Sequence, residues 1–161
     1  MAQIESRLSD LGLVLPAPLL LPPGVTLPFP WVRVHGNRAF ISGHGPQNAD
    51  GSLATPLGKV GAEVSLEQAQ VAARQVGLSI LASLKRELGD LDRVTAWLKV
   101  LGMVNSAPGF NRQPNVINGF TDLIVTLYGP ERGRHARSAV GMAQLPFDIP
   151  VEIEAEVEIQ T

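Results

Sequence analysis

The sequence predicts an α+β fold, a two-layer sandwich in which a mixed β-sheet carries two main helices on one face. Three observations lead to it. Two segments, from Ser65 and from Pro114, have helical periodicity with recognisable ends. Residues 151–159 alternate strictly, with Val151, Ile153, Ala155, Val157 and Ile159 on one face and four glutamates on the other. The elements follow in the order α–ββ–α–β–α–ββ, without repeat or linker.

At 161 residues the chain reads as one domain, 1–161, with a helix and a proline-rich arm over 1–30 that pack on the body. Such a chain buries roughly 70% of its unfolded surface, so its core needs no staples. A net charge of −2 argues against non-specific nucleic-acid binding through bulk charge. The absence of cysteine excludes disulfides, thiol catalysis and Cys-based zinc sites. His35, His44 and His135 are too far apart in the chain to give metal-ligand spacing. The apolar run 11–21 is broken by Gly12, Pro16 and Pro18, so neither a signal peptide nor a membrane span is expected. The cytoplasm is the default compartment.

Taken in order, residues 2–11 place Ile4, Leu8 and Leu11 on one helical face, and Gly12 stops the helix. Residues 16–30 hold six of the thirteen prolines and form an extended arm, whose leucines hold it against the body. Trp31–His35 and Arg38–Ser42 are short strands around a Gly36-Asn37 turn. The loop that follows, with Gly43, Gly45 and Pro46, lets backbone approach a small molecule, and Asn48 to Gly58 form a mobile rim. Ser65 and Gln68 make a capping box for a helix that runs to about Leu88, closed by Gly89. Val94–Val104 is a strand. Asn105–Gln113 is a loop at its end, where sites often lie, and Phe110 is a candidate pocket wall. Pro114 starts the next helix, which ends near Tyr128 at Gly129-Pro130. The last stretch reads as a β-hairpin, one strand from His135 to about Ala143 and the other from Val151 to Ile159, around a loop with two prolines.

Arg137 shares a strand face with Ala139, Gly141 and Ala143, which are too small to cover it. A guanidinium so placed is either a fork for a carboxylate or the partner of one of the four glutamates. If the hairpin folds about Phe147, Arg137 lies opposite residue 157. Glu152 is then on the order of 16 Å away along the strand at ~3.3 Å per residue. The two could serve one small ligand only from neighbouring subunits. Ser42, Gly43 and His44 form a second wall. The cluster Arg132, Arg134, His135 and Arg137 has no interleaved aromatics and reads as a solvated turn rather than an RNA site.

The run Arg137-Ser138-Ala139-Val140 with Leu145-Pro146 and Val151-Glu152-Ile153-Glu154-Ala155, together with Ser42-Gly43 and Asn118, resembles the C-terminal and cleft signatures of the RidA/YjgF family. These are reactive-intermediate (enamine/imine) deaminases, some of them labelled endoribonuclease L-PSP. The resemblance spans roughly residues 30–159. It implies a chorismate-mutase-like fold and a homotrimer with inter-subunit clefts. It also implies hydrolysis of 2-imino or enamine acids to 2-keto acids and ammonia, without metal or cofactor. Arg137 would bind the substrate carboxylate and Glu152 would orient the attacking water. Ser42, Gly43, His44, Phe110 and Asn118 would line the cleft. A non-catalytic carboxylate-binding trimer is the alternative, and an endoribonuclease or translation inhibitor a third reading. Two departures stand out: Phe29 and Trp31 occupy the region where the deaminases carry a tyrosine, and Ala139 stands where a cysteine is frequent.

Overall fold

The computed structural model describes residues 3–161. Its elements are α1 (Gln3–Asp10), β1 (Val32–His35), β2 (Arg38–His44), α2 (Leu66–Leu88), β3 (Val94–Asn105), α3 (Gln113–Gly133), β4 (Ala136–Met142) and β5 (Val151–Ile159). They form the expected α+β sandwich. One five-stranded mixed sheet runs in the order β1-β2-β5-β3-β4, with α2 and α3 on one face. Ala2, the first residue of the expected N-terminal helix, lies outside the described residues.

Local signals explain the two main helices. The Ser65 hydroxyl accepts from the Gln68 N–H at 3.1 Å, and the Gln68 side chain accepts from the Ser65 N–H at 2.9 Å. Gly89, in the left-handed region at φ 79°, caps the other end. Along α2, Ala69, Ala72, Ala73, Val76, Ile80, Leu84 and Leu88 are buried, as their spacing requires. In α3, Pro114 sits in the first turn, and Gly129 breaks the helix at φ 77°, ψ 171° before one more turn reaches Gly133. The helices approach closely because Gly119 has no side chain. A Cβ there would clash with the Gln70 carbonyl oxygen.

The C-terminal hairpin is not what forms. β4 pairs with β3 in parallel, Arg137 opposite Val100, while β5 runs antiparallel between β2 and β3. The chain does reverse between β4 and β5, but β3 separates them. The reason is α3, which carries the chain from β3 over the sheet to a parallel neighbour on its far edge. β5 then fills the gap between β2 and β3. Its whole apolar face is buried, and each fully buried Val or Ile is worth about 1.5–3 kcal/mol.

This topology also decides which face of the sheet Arg137 occupies. It pairs with the buried Val100, which pairs with the buried Ala155. Arg137 therefore lies on the helix face, under α3, and not with the glutamates. Glu152, Glu154, Glu156 and Glu158 project from the opposite face, beside Phe40, Leu101, Met103 and Val140. Among the described residues no helix covers that face. Arg38 bonds Glu156 at 2.6 Å and Thr95 bonds Glu158 at 2.7 Å.

The segment after α1 is extended and runs along the loop that follows β2. Ala17 N–H donates to the Ala49 carbonyl at 2.9 Å and Leu20 N–H to the Gly51 carbonyl at 3.1 Å. Lys85, bonded to Glu5 at 2.5 Å, ties α1 to α2. No helix of the described residues is long and apolar enough to cross a membrane.

Candidate functional site

Two walls carry the candidate residues. The first is the end of β2, where the register with β5 shifts between Ile41 and His44. This bulge re-aims the side chains of Ser42 and His44, on either side of Gly43. The Ser42 hydroxyl donates to the Pro30 carbonyl at 2.8 Å, and its N–H donates to the Trp31 carbonyl at 2.9 Å. These bonds fasten the end of the arm to the strand.

His44 turns inward and is buried at 4% exposure. A carbonyl can only accept, so Nδ1 carries the hydrogen that bonds the Ser42 oxygen at 2.6 Å. Nε2 then accepts the Ser83 hydroxyl at 2.8 Å, and the Ser83 oxygen accepts from Arg86 at 3.0 Å. Burial lowers the ring pKa to about 4, against the Ser42 bond and with help from Arg86. His44 is thus a neutral brace. Its edge lines a cavity, but both nitrogens are spent on holding the bulge.

Gly43 lies against the Glu152 side chain, and a Cβ on it would overlap Oε1. Glu152 is half-buried, and among the described residues nothing donates a hydrogen bond to its carboxylate. Burial, and then Glu154 beside it, raise its pKa above the ordinary carboxylate value. An unpaired carboxylate with a raised pKa in a cleft is the kind of group that moves protons. The cleft itself, about 400 Å³, is bounded by the arm, Trp31, Gly43, Glu152 and the turn at Phe147.

The second wall is β4 with the first turns of α3. Arg137 Nη1 donates to Asn118 Oδ1 at 2.9 Å and to Thr121 Oγ1 at 3.0 Å, and Nη2 reaches the Pro114 carbonyl at 3.4 Å. A guanidinium has five donors. Five less these three leaves two uncommitted, on Nε and Nη2, along one edge. Arg137 makes no ion pair among the described residues, so the alternative of a partner glutamate is not realised. Thr121 in turn donates to His135 Nε2 at 3.0 Å, while His135 Nδ1 donates to the Gly133 carbonyl at 2.8 Å. Burial keeps the His135 pKa below its usual value, so the ring stays neutral and able to accept. The hydroxyl hydrogen of Thr121 is thereby held away from Arg137, and its lone pairs toward it.

The structure brings Arg137 together with Asn118, and Gly43 together with Glu152, Ser42 and His44. It does not bring the pairs to each other, because Arg137 and Glu152 project from opposite faces of the sheet. The separation expected along a hairpin has this different cause. Phe110 joins neither wall and packs against Gly61. Thr121 and His135, which fix Arg137, were not apparent from the sequence, whereas Phe29 and Trp31, expected near the ligand where the deaminases carry a tyrosine, do line the cavity under the arm. The i, i+3 spacing of Asn118 and Thr121 on α3 was the available signal for Thr121.

The family model described as Endoribonuclease L-PSP matches residues 25–159. Protein TCP17 of Trypanosoma cruzi is 44% identical over 124 residues, which cover 77% of this chain and 76% of that protein. A crystal structure of a protein of unknown function from Agrobacterium tumefaciens superposes with a TM-score of 0.87 at 42% identity, covering 98% of this chain and 92% of that one. The crystal structure of a putative endoribonuclease from Shewanella oneidensis gives a TM-score of 0.86 at 27% identity, over 98% and 99% of the two chains.

Proposed function

The chain belongs to the Endoribonuclease L-PSP family, the YjgF/RidA proteins, and from that premise we propose that it hydrolyses 2-imino acids to 2-keto acids and ammonia. The observation that carries this reading is the uncommitted edge of Arg137. Two parallel N–H groups, held by Asn118, Thr121 and the Pro114 carbonyl, match the two oxygens of a carboxylate. The fork is preformed, so little freedom is lost when the substrate binds.

Because the two walls face opposite ways, the working site pairs Arg137 of one copy with Gly43 and Glu152 of a neighbour. A closed ring of three copies is the proposed assembly. The uncovered sheet face supports it, since Phe40 is 42% and Val140 38% exposed there beside Leu101.

The chemistry follows from these placements. Arg137 holds the substrate carboxylate and orients the C=N carbon. Glu152, with its raised pKa, takes a proton from a water resting against Gly43, and the water oxygen adds to the iminium carbon. The amino group of the resulting carbinolamine takes that proton. The hydroxyl proton then leaves, the C–N bond breaks, and ammonia departs with it as ammonium. Imines already hydrolyse in water, so positioning and proton transfer worth about 10²–10⁴-fold are sufficient.

The test generates imino acid with an amino-acid oxidase and traps it with semicarbazide. Less semicarbazone with the protein present supports the reading, and no change contradicts it. A further expectation concerns Thr121→Val, which removes one acceptor from Arg137 and its link to His135. The fork loses a charge-assisted bond, and kcat/KM is expected to fall by about tenfold or more, mainly through KM. An unchanged KM would remove Thr121 from this role. A nuclease reading would lean on His135, but both of its ring nitrogens are engaged by Gly133 and Thr121.

A further inference from the structure

The cavity beside Glu152 is bounded on its other side by the arm. Hydrolysis of a small imino acid does not need this space. Its walls are Leu21, Val25, Leu27 and Phe29 of the arm, with Trp31 and Phe147. Much of this apolar surface is open: Phe147 is 68% exposed, and Phe29 and Val25 are each 46% exposed. The prolines that interrupt the arm hold it extended as a wall. Phe29 and Trp31 meet edge to face at 5.8 Å, and Trp31 leans on His44 at 4.9 Å, so the buried His44 network also braces this side.

The rim has a second peculiarity. Phe147 and Asp148 both adopt φ 57°, the left-handed region that side chains other than glycine rarely enter. The Gly58 N–H donates to the Asp148 carbonyl at 2.7 Å and holds the turn in place. Strained positions of this kind cluster at active sites and ligand clamps. Polar competition inside is small. Among the described residues Glu152 is the only charged one in the lining, and Gln47 has its amide nitrogen near the Ala17 and Gly51 carbonyls, both at 3.4 Å.

We propose that this cavity receives the substrate's side chain, and that the substrates are 2-imino acids with an aromatic or branched aliphatic group. The inference rests on the imine-hydrolase reading of the same site. With the C=N carbon at Glu152 and the carboxylate at Arg137 of the neighbouring copy, the remaining substituent points under the arm. There it covers Phe29, Val25 and Phe147, which are otherwise open to water. An acidic side chain is repelled by Glu152. A methyl group leaves most of the cavity unfilled.

The experiment compares imino acids generated by L-amino-acid oxidase from phenylalanine, leucine and alanine. It also measures calorimetric binding of 4-methyl-2-oxopentanoate and pyruvate, which are products rather than substrates. Wild type is expected to prefer the phenylalanine and leucine imines by about 10–200-fold in kcat/KM, the discrimination an apolar pocket gives. Val25→Asp, at a half-exposed position where folding is not at stake, is expected to shrink that ratio toward one. Phe147→Ala is expected to shrink it partly. Equal rates for the three imines overturn the proposal. So does a preference that neither variant changes, since the cavity is then filled by something else, such as a segment of the neighbouring copy. If no imine is hydrolysed but 4-methyl-2-oxopentanoate binds at least tenfold more tightly than pyruvate, and Val25→Asp abolishes the difference, the pocket stands and the hydrolase reading falls. If neither hydrolysis nor selective binding occurs, both fall.

Discussion

Replacing Arg137 with alanine is expected to lower kcat/KM for imine hydrolysis by about 10²–10⁴-fold with the fold intact. Two parallel hydrogen bonds to a charged carboxylate are each worth about 1.5–3 kcal/mol, and every 1.36 kcal/mol is tenfold in rate. The cost to folding is small for a structural reason. Arg137 is half-exposed, makes no ion pair among the described residues, and leaves Asn118, Thr121 and the Pro114 carbonyl accessible to water. Stability should change by no more than about 1 kcal/mol. Arg137→Lys keeps the charge and loses the fork, so it is expected to recover only part of the rate. Semicarbazide competition measures the rate and thermal unfolding measures the fold. An Arg137→Ala protein with full activity would remove the clamp from the account.

Glu152→Gln has an equally large expected effect on rate and an opposite effect on stability. Without a base to accept the water's proton, the rate is expected to fall by about 10²–10⁴-fold. The stability effect follows from the raised pKa of Glu152, caused by burial and then by Glu154. A carboxyl whose folded pKa lies above its unfolded value contributes most when protonated, below the unfolded value. That contribution is lost as pH rises through the folded value. At neutral pH the ionised Glu152 is therefore a cost that glutamine does not carry. Glu152→Gln should unfold at a higher temperature than wild type at about pH 7, and the gap should close toward about pH 4. A variant less stable than wild type at neutral pH would show that the carboxylate has a stabilising partner.

Much of this architecture is legible in the sequence where the signals are local. Ser65 with Gln68, and Gly89, define α2 to the residue because capping depends on side chains three positions apart. The alternation of β5 shows correctly which of its faces is buried. What alternation cannot give is the neighbour. The chain reverses after β4, and a reversal reads as a hairpin, yet the crossover through α3 seats β4 beside β3 and leaves β5 on the other side. The same long-range choice decides that Arg137 lies under a helix. Its small neighbours Ala139 and Gly141 make room for α3, where Gln113 and Ser106 lie over Gly141. The inward turn of His44 depends on a bulge, which glycines on either side permit but do not specify. In the arm, Phe29 and Trp31 stand where a ligand is expected, but leucines and prolines in no period do not show that the rest of it encloses a cavity.

The central claim is that each site is assembled from two copies, with Arg137 from one and Glu152 from the next. The most direct test mixes the two inactive variants, Arg137→Ala and Glu152→Gln, in equal amounts, then unfolds and refolds them together. In a ring of head-to-tail contacts, about one site in four then joins an intact Arg137 to an intact Glu152, and about a quarter of wild-type activity should return. If the mixture stays as inactive as its components while the refolded wild type recovers, the two residues do not meet across an interface, and the account is contradicted.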